Sequence, residues 1–525
     1  MDAKRGKRWQ RLRAASQVLF LILFFFLLLH SGRIAVERLP LTGAFFYIDP
    51  LNLWVNILAG PFLRPFLLAL VPLVLTLLLG RFFCGWVCPF GALLQFFTWL
   101  GSKRKREKTI PGHAAMRWKY LLLIVLLVGS LFATQWLGWL DPFSLLTRSS
   151  SVTLIPGLNF LLQRALESGA ASQSLGGKIV KPLYDFSRAW LLSGEQRTFL
   201  LAFAIGAIFF GLLLLNLYRR RFFCNYLCPL GALYGWLAKY SLFHFEVNPD
   251  CSKCNACAGH STYYGGPFRD YQKSECLACM NCLKDCSAAA IDVRWGLPRK
   301  GQTPALASPK GTDGAVLPQR RQFLSAIGCG LVAAALPQIS ADKKKKAHPF
   351  IRPPGAAAEK DFVRKCIRCG ACMQACPTNA IQPALLQAGI DGLWTPLLVP
   401  TSGYCEYECV RCTRVCPTHA LANLTLDEKK QFKIGTAVIN RSACYTYADG
   451  YNCGVCEEHC PVPEKAIKYR EVSRQTEESE AGLRGPRPVH RLRHLRKRLP
   501  AHRRPGHQGR RRGRAARSRL LNKLN

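Results

Sequence analysis

Apolar residues in the first half of this chain come in long blocks separated by basic loops, and the blocks have the length of membrane-crossing helices. A basic N-terminus, residues 1–13 (Lys4, Arg5, Lys7, Arg8, Arg11, Arg13), precedes an apolar run at Val18–Leu29. No A-x-A-like cleavage site follows and more apolar runs do, so this reads as a first span with a cytoplasmic N-terminus. Further runs lie at about Pro65–Phe83, Tyr120–Leu137 and Thr198–Leu217, each near the roughly 20 apolar residues that a helix needs to cross a bilayer. Lys103, Arg104, Lys105, Arg106 and Lys108 follow the second run, and Arg219-Arg220-Arg221 follow the fourth. Basic loops stay in the cytoplasm, so both ends of this four-helix unit face inward.

The unit is an internal duplication. Arg81-Phe82-Phe83-Cys84-x3-Cys88-Pro89-Phe90-Gly91-Ala92-Leu93 recurs as Arg221-Phe222-Phe223-Cys224-x3-Cys228-Pro229-Leu230-Gly231-Ala232-Leu233, and an Asp-Pro pair recurs at Asp49-Pro50 and Asp141-Pro142. Two out-and-back hairpins are predicted, residues 14–100 and 120–240, joined by a basic cytoplasmic loop at 101–119. Cysteines four apart on a helix share a face. Cys84, Cys88, Cys224 and Cys228 are therefore candidates for thiol couples or metal ligands. The alternative is that each Cys-Pro marks a helix start, with proline at the first helical position.

Beyond the hairpins the pattern changes from apolar blocks to cysteine triplets. Residues 245–295 form a small ferredoxin-like domain: Cys276, Cys279, Cys282 and Cys286 give C-x2-C-x2-C-x3-C, while Cys251, Cys254 and Cys257 give a triplet with Ser261 at the expected fourth position. A linker at 296–319 leads to residues 320–338, where Arg320-Arg321-Gln322-Phe323-Leu324 opens an Ala/Gly-rich apolar stretch. Twin arginines there read as an export signal, making this a fifth span or a cleavage site. Residues 360–470 hold 12 of the 24 cysteines: Cys366, Cys369, Cys372 and Cys376; Cys405, Cys409, Cys412 and Cys416; Cys444, Cys453, Cys456 and Cys460.

Three thiolates on a tight loop followed by Cys-Pro is the ligand pattern of a [4Fe–4S] cluster, and the cysteine before proline reaches the other cluster of a pair. Structural zinc prefers two separated CxxC knuckles, and disulfides need no triplets. By that crossing rule Cys286 completes the Cys251 triplet. The Cys276 triplet is then left without a fourth cysteine: either His260 or Ser261 supplies the ligand or the site holds three irons. Three to five [4Fe–4S] clusters follow.

Charge adds little to this. The chain carries a net +41, but residues 471–525 alone hold 17 Lys/Arg against 4 Asp/Glu, and much of the rest flanks apolar runs, so no nucleic-acid partner is expected. No CxxCH occurs and only His30 touches a predicted span, so no haem is expected. No dinucleotide or phosphate loop is present. The chain reads as an electron-transfer subunit rather than a self-sufficient enzyme. Its predicted fold class is membrane α-helical, with duplicated two-helix hairpins making four spans plus a fifth, and with α+β bacterial-ferredoxin-like iron–sulfur domains.

These motifs resemble two known groups. The duplicated R-F-F-C-x3-C-P-x-G-A-L hairpins with Cys251–Cys286 look like the polytopic ferredoxin-type proteins of the NapH/NosR group. The segment from Arg320 to Cys460 looks like the NapG/MauM group of exported ferredoxins with four [4Fe–4S] clusters. The resemblance spans roughly 14–290 and 320–470. It implies a multi-pass protein of the bacterial inner membrane with a periplasmic C-terminal ferredoxin. Its role would be to pass electrons between quinone or quinol, or a quinol-oxidising partner, and a periplasmic oxidoreductase. No large domain precedes the first span, so no flavin is expected. A different class is maturation, in which the CxxxCP thiols and clusters reduce or deliver a metal to another enzyme. A four-cluster relative implies one more motif after Cys460, where residues 471–525 are instead a basic tail expected to be disordered and read as a shifted frame. With that motif missing, motifs two and three are expected to complete each other through Cys416 and Cys460, leaving Cys366, Cys369 and Cys372 short of a ligand.

Overall fold

Helix starts in this chain are set by Asp-Pro and Cys-Pro pairs. Asp49 accepts a bond from the Leu51 amide at 2.9 Å and Asp141 from the Ser144 amide at 2.7 Å, each with proline next in line. Cys88 Sγ accepts from the Gly91 amide at 3.4 Å and Cys228 Sγ from the Gly231 amide at 3.2 Å. A side-chain acceptor satisfies an orphan amide, and proline at the first helical position gives up an N–H that would have no partner. The repeated pairs are thus four helix starts as well as whatever else they do.

The computed structural model describes residues 3–31, 43–60, 63–101, 113–132, 135–170, 181–182, 185, 196–252, 254, 257, 272–296, 317–344, 350–435, 439–462 and 465–468. The basic loop Lys103–Lys108, His260, Ser261, most of the linker and residues 471–525 lie outside them. In the first half the helices are α1 (Ala3–Leu29), α2 (Pro50–Ala59), α3 (Leu70–Leu79, entered through a 3-10 segment Arg64–Ala69), α4 (Phe82–Trp86), α5 (Pro89–Leu100) and α6 (Trp118–Leu131). Then come α7 (Pro142–Ser149), continued by a π-helical turn Ser150–Leu154 and α8 (Ile155–Ala170), and α9 (Ala202–Tyr218), α10 (Phe222–Tyr226) and α11 (Pro229–Ala238). The duplication survives in the fold: α4–α5 and α10–α11 are matching Cys-bearing corners, packed on each other through Phe90–Phe223 at 5.1 Å and Phe83–Tyr234 at 5.5 Å between ring centroids.

Among the described residues one helix, Gly6–Leu29, is long and apolar enough to cross a membrane. Arg64–Leu79, Trp118–Leu131 and Ala202–Tyr218 fall on the predicted second to fourth runs as apolar helices of 10–17 residues, shorter than the predicted spans. The second shortens because the chain leaves helical geometry at Gly80, φ 71°. The helix α13 defined below covers the predicted fifth.

Two small ferredoxin-like units are attached. The first pairs β1 (Phe243–Val247) antiparallel with β2 (Ile291–Trp295) and carries the short α12 (Asn281–Asp285). The long helix α13 (Arg320–Lys344) packs along α6, with Gly330 against Val128. The second unit contains α14 (Glu359–Lys365), α15 (Ala371–Ala375), the antiparallel pair β3 (Ile381–Pro383) and β4 (Pro396–Leu398), α16 (Arg411–Arg414) and α17 (Leu426–Gln431).

The two units meet opposite ends of α6. At its start, Tyr120 Oη donates to Glu275 Oε1 at 2.6 Å and Lys119 Nζ pairs with Glu275 Oε2. Past its other end, Gly138 lies so close to the second unit that a Cβ there would stand 2.2 Å from the Ile367 carbonyl. The 14 residues of α6 span about 21 Å at 1.5 Å per residue.

Candidate functional site

The cysteine loops of both units share a backbone recipe. In the Cys276 loop Ala278 (φ 48°) and Met280 (φ 58°) flank Cys279 in the left-handed region, and in the Cys366 loop Arg368 (φ 57°) and Gly370 (φ 78°) flank Cys369 the same way. Alternating left-handed residues curl the loop so that three thiols converge. Three residues after each bridging cysteine the chain turns left-handed again, at Ala289, Asn379 and His419, following Cys286, Cys376 and Cys416 respectively. This recurrence is why the spacing repeats.

In the small unit Cys286 lines one pocket together with Cys251, Cys254 and Cys257. That grouping is the one ligand crossing would use. Cys282 lies in electrostatic reach of Cys279, Cys276 and Cys257, and the residues at hand for a fourth ligand, His260 and Ser261, are outside the described set.

In the large unit the pairing differs from expectation. Cys376 lines one pocket together with Cys405, Cys409 and Cys412. Cys416 is the neighbour of Cys366, Cys369 and Cys372. Motifs one and two therefore complete each other. The expectation that two pairs with three is overturned because α15 and α16 pack together, delivering each bridging cysteine to the adjacent loop. Motif three stands apart: Cys444 and Cys460 share a separate small core, and Cys460 Sγ accepts from the Ala466 amide at 3.3 Å.

The chemistry of these sites fits iron–sulfur ligation. Burial pushes the Cys282, Cys372 and Cys412 thiols well up, and the charges of neighbouring cysteines push the same way. Such groups ionise when a cationic core takes the place of their protons. The Leu421 amide donates to Cys416 Sγ at 3.5 Å, the sort of bond that tunes a cluster's potential. No group of three or more His, Cys, Asp or Glu among the described residues is close enough to hold a single metal ion.

Several residues escaped sequence reading. Trp86 of α4 inserts into the small unit's core, donating from Nε1 to the Ala278 carbonyl at 3.1 Å, and a Cβ on Gly85 would stand 2.4 Å from the Leu277 carbonyl. Arg81 Nη1 reaches Glu275 Oε2 at 2.6 Å. Burial alone would push the Glu275 carboxyl up, but Lys119 and Arg81 outweigh it and hold it below its ordinary range. On the other side Arg148 of α7 donates to the Arg368 carbonyl at 3.1 Å and stacks over Trp394 at 4.2 Å. Burial brings Arg148 down to about 9 and Arg368 to about 10. Asn379 and Gln382 both donate to the Thr198 carbonyl, at 2.6 and 3.1 Å. Only the repetition of Arg81 as Arg221 inside the duplicated motif hinted at any of this.

The four CxxxCP cysteines come together. All are buried, and Cys88 lies in electrostatic reach of Cys84 and Cys224, as Cys228 does of Cys224, Cys84 and Cys88.

Comparison with known proteins agrees with this chemistry. A family model described as a 4Fe-4S binding domain matches residues 62–107 and 201–248, and another of the same description matches 363–382. The methylamine utilization ferredoxin-type protein MauM of Methylobacillus flagellatus is 31% identical over 173 residues, covering 32% of this chain and 73% of the relative. The ferredoxin-type protein NapG of Escherichia coli is 35% identical over 164 residues, covering 30% and 69%. The ferredoxin-type protein NapH of Escherichia coli is 28% identical over 322 residues, covering 55% and 91%. No solved structure matches. With its curled cysteine loops, exchanged bridging cysteines and these relatives, the chain belongs to the 4Fe-4S ferredoxin-type proteins of the NapG and MauM kind and is homologous to NapH.

Proposed function

We propose that this protein is a membrane-embedded iron–sulfur relay that moves single electrons between the quinone pool, or a quinol-oxidising partner, and a periplasmic redox enzyme. In this reading the spans are residues 18–29, 65–83, 120–137 and 198–217, with α13 as a fifth. Cys251–Cys286 lies on the cytoplasmic side and Cys366–Cys460 on the periplasmic side. The cluster ligands are the cysteines of those two units.

The observation that carries the reading is the docking of two cluster-binding units at opposite ends of α6. A relay across a barrier needs that arrangement, and a soluble ferredoxin does not. The exposed surface supports it. Leu19, Ile22, Phe26, Val71, Val74, Phe203 and Leu214 are exposed on α1, α3 and α9, as apolar side chains facing lipid would be. Trp9, Trp99, Trp118, Tyr218 and Tyr240 are exposed as well, and aromatic rings of that kind suit a lipid headgroup zone. The helix α13, with 25 residues, has the length of about 37 Å that a fifth crossing needs.

Two measurements test this. Tags placed in the 297–316 linker and after residue 468 are probed with protease in spheroplasts, and only the second should be reached. Both tags on one side would sink the relay. In liposomes holding the full chain, a quinol analogue should reduce a fraction of the clusters, seen as paramagnetic signals. Clusters that dithionite reduces and no quinol or membrane partner reduces would remove the quinone from the scheme.

A further inference from the structure

We propose that Cys84, Cys88, Cys224 and Cys228 together hold one iron–sulfur cluster inside the helical unit, two ligands from each repeat, with Arg81 and Arg221 as its counter-charges. A 4Fe-4S family description covers each repeat singly, but two cysteines cannot complete a four-cysteine site. The inference is that the repeats share one. It rests on the relay reading only for what the cluster does, not for whether it is there.

Helix capping explains half of the cysteines. Cys88 and Cys228 cap α5 and α11 through Sγ, but Cys84 and Cys224 lie within α4 and α10 and cap nothing. All four are at most 8% exposed, which closes them to thiol exchange with a client enzyme and speaks against metal delivery. Each repeat also reaches into the other. Arg221 Nη1 donates to the Cys84 carbonyl at 3.1 Å, and Arg81 Nη2 lies 3.0 Å from where a Cβ on Gly231 would stand, in the turn after Cys228. One compact group of four thiols lies between them.

The buried arginines give the independent observation. Among the described residues five arginines carry buried N–H groups with no hydrogen-bond partner: Arg13, Arg81, Arg148, Arg221 and Arg368. Every one lies in electrostatic reach of cysteines. Arg13 faces Cys279, while Arg148 and Arg368 face Cys366. These three mark motifs already read as cluster ligands. The other two, Arg81 and Arg221, face Cys224, with Arg81 also near Cys84 and Arg221 near Cys88. Tyr234 adds a fully buried hydroxyl with no partner, within reach of Cys84, Cys88 and Cys228. A buried cation with unmade bonds is costly, and the same unmet demand that marks the ferredoxin loops marks this one.

The charge count agrees. Arg81, Arg221 and Lys119, with Glu275 offsetting one of them, surround the thiols with net positive charge. A four-thiolate cluster whose oxidised core is 2+ carries two negative charges, whether it has two or four irons. Taking up one electron needs no bond or proton change. The electron would come from the neighbouring Cys276 loop, which Gly85 brings against α4.

The test uses the full chain with Cys84, Cys88, Cys224 and Cys228 all changed to Ala, and the exposed Cys329→Ser as control. Iron and acid-labile sulfide per chain are measured, with Mössbauer spectra of iron-57 protein. Loss of two or four irons with an equal number of sulfides, the ferredoxin signals being retained, is expected. Unchanged iron, or loss of one iron without sulfide, would overturn the proposal. If the quadruple variant does not fold, Arg221→Met serves, which keeps every ligand. It should move the reduction potential of one signal to more negative values and leave the others in place, and no moved potential would overturn the site. Clusters lost from the quadruple variant but never reduced through the membrane would leave the site standing and remove the relay.

Discussion

Glu275 is where the small ferredoxin unit is held to the helices, and replacing it by Gln tests the geometry most directly. Its carboxylate accepts from Arg81 at 2.6 Å, from Tyr120 at 2.6 Å and from Lys119, with every partner at most 2% exposed. Gln keeps the shape and removes the charge, so Arg81 and Lys119 lose the buried carboxylate they share. Breaking a buried pair in this way costs about 3–5 kcal/mol, which is roughly two to four orders of magnitude in the docking equilibrium. Hydrogen exchange of the full chain in nanodiscs reads this by segment. Residues 272–295 and 82–86 should lose protection in the variant, while 350–435, at the far end of α6, should not. The pH dependence has a defined sign. The folded Glu275 carboxyl is held below its ordinary 4.5 by Lys119 and Arg81 against the opposing effect of burial. Its stabilisation is therefore full above that value and lost as pH falls through the lowered folded value. Wild-type protection over 272–295 should fall on acidification below about 4.5, while the variant's should not respond there. Exchange in the variant identical to wild type at neutral pH would refute the reasoning.

Three further outcomes follow from particular contacts. Cys416→Ala should abolish the signal of the Cys366 loop and leave that of the Cys405 loop, and Cys376→Ala should do the reverse; a Cys460→Ala effect on the Cys405 loop would restore the pairing expected from sequence. Gly85→Ala and Gly138→Ala each force a Cβ onto a carbonyl, at 2.4 and 2.2 Å, and overpacking should cost about 1–3 kcal/mol each. Each should loosen only its own unit in hydrogen exchange, and equal loosening of both would contradict opposite docking. Arg148→Met removes a buried positive charge beside Cys366 and Cys369, so one cluster's potential should become more negative in redox titration while that of the Cys251 pocket stays unchanged.

Cysteine spacing made the ferredoxin units legible, because a curled loop with left-handed residues at fixed offsets admits few spacings. The duplication was legible for the same reason: Arg-Phe-Phe-Cys and Cys-Pro serve helix starts and sites in both halves. Ligand crossing within the small unit followed from a general rule. The pairing in the large unit did not, because it depends on which loops α15 and α16 bring together, and no local pattern encodes that. Docking was invisible for a related reason. Gly85 and Gly138 sit in unremarkable sequence, and their small size matters only because Leu277 and Ile367 arrive from far along the chain. Glu275 reads as a polar loop residue until Arg81 and Lys119 are set beside it.

The five arginines with unmet bonds join the sites into one electrostatic problem and lead to a last prediction of unusual sign. In the protein with its clusters, Arg221 faces an anion, and Arg221→Met should destabilise by removing a buried charge partner, about 3–5 kcal/mol where a pair is broken. Once iron is stripped, the thiols regain protons and Arg221, fully buried, has no anion left. Replacing an unsupported buried cation by an apolar side chain of similar volume then becomes stabilising, by about 1–4 kcal/mol if the gain matches that for replaced buried pairs. The substitution should therefore lower the thermal midpoint of the iron-loaded chain and raise that of the stripped chain, measured in the same detergent. A surface arginine such as Arg294, 59% exposed, should shift neither. If Arg221→Met moves both midpoints in one direction, the arginine is a packing element and the anion it was assigned does not bind there. If the signs oppose, the arginine is partnered by the group that the four thiols hold.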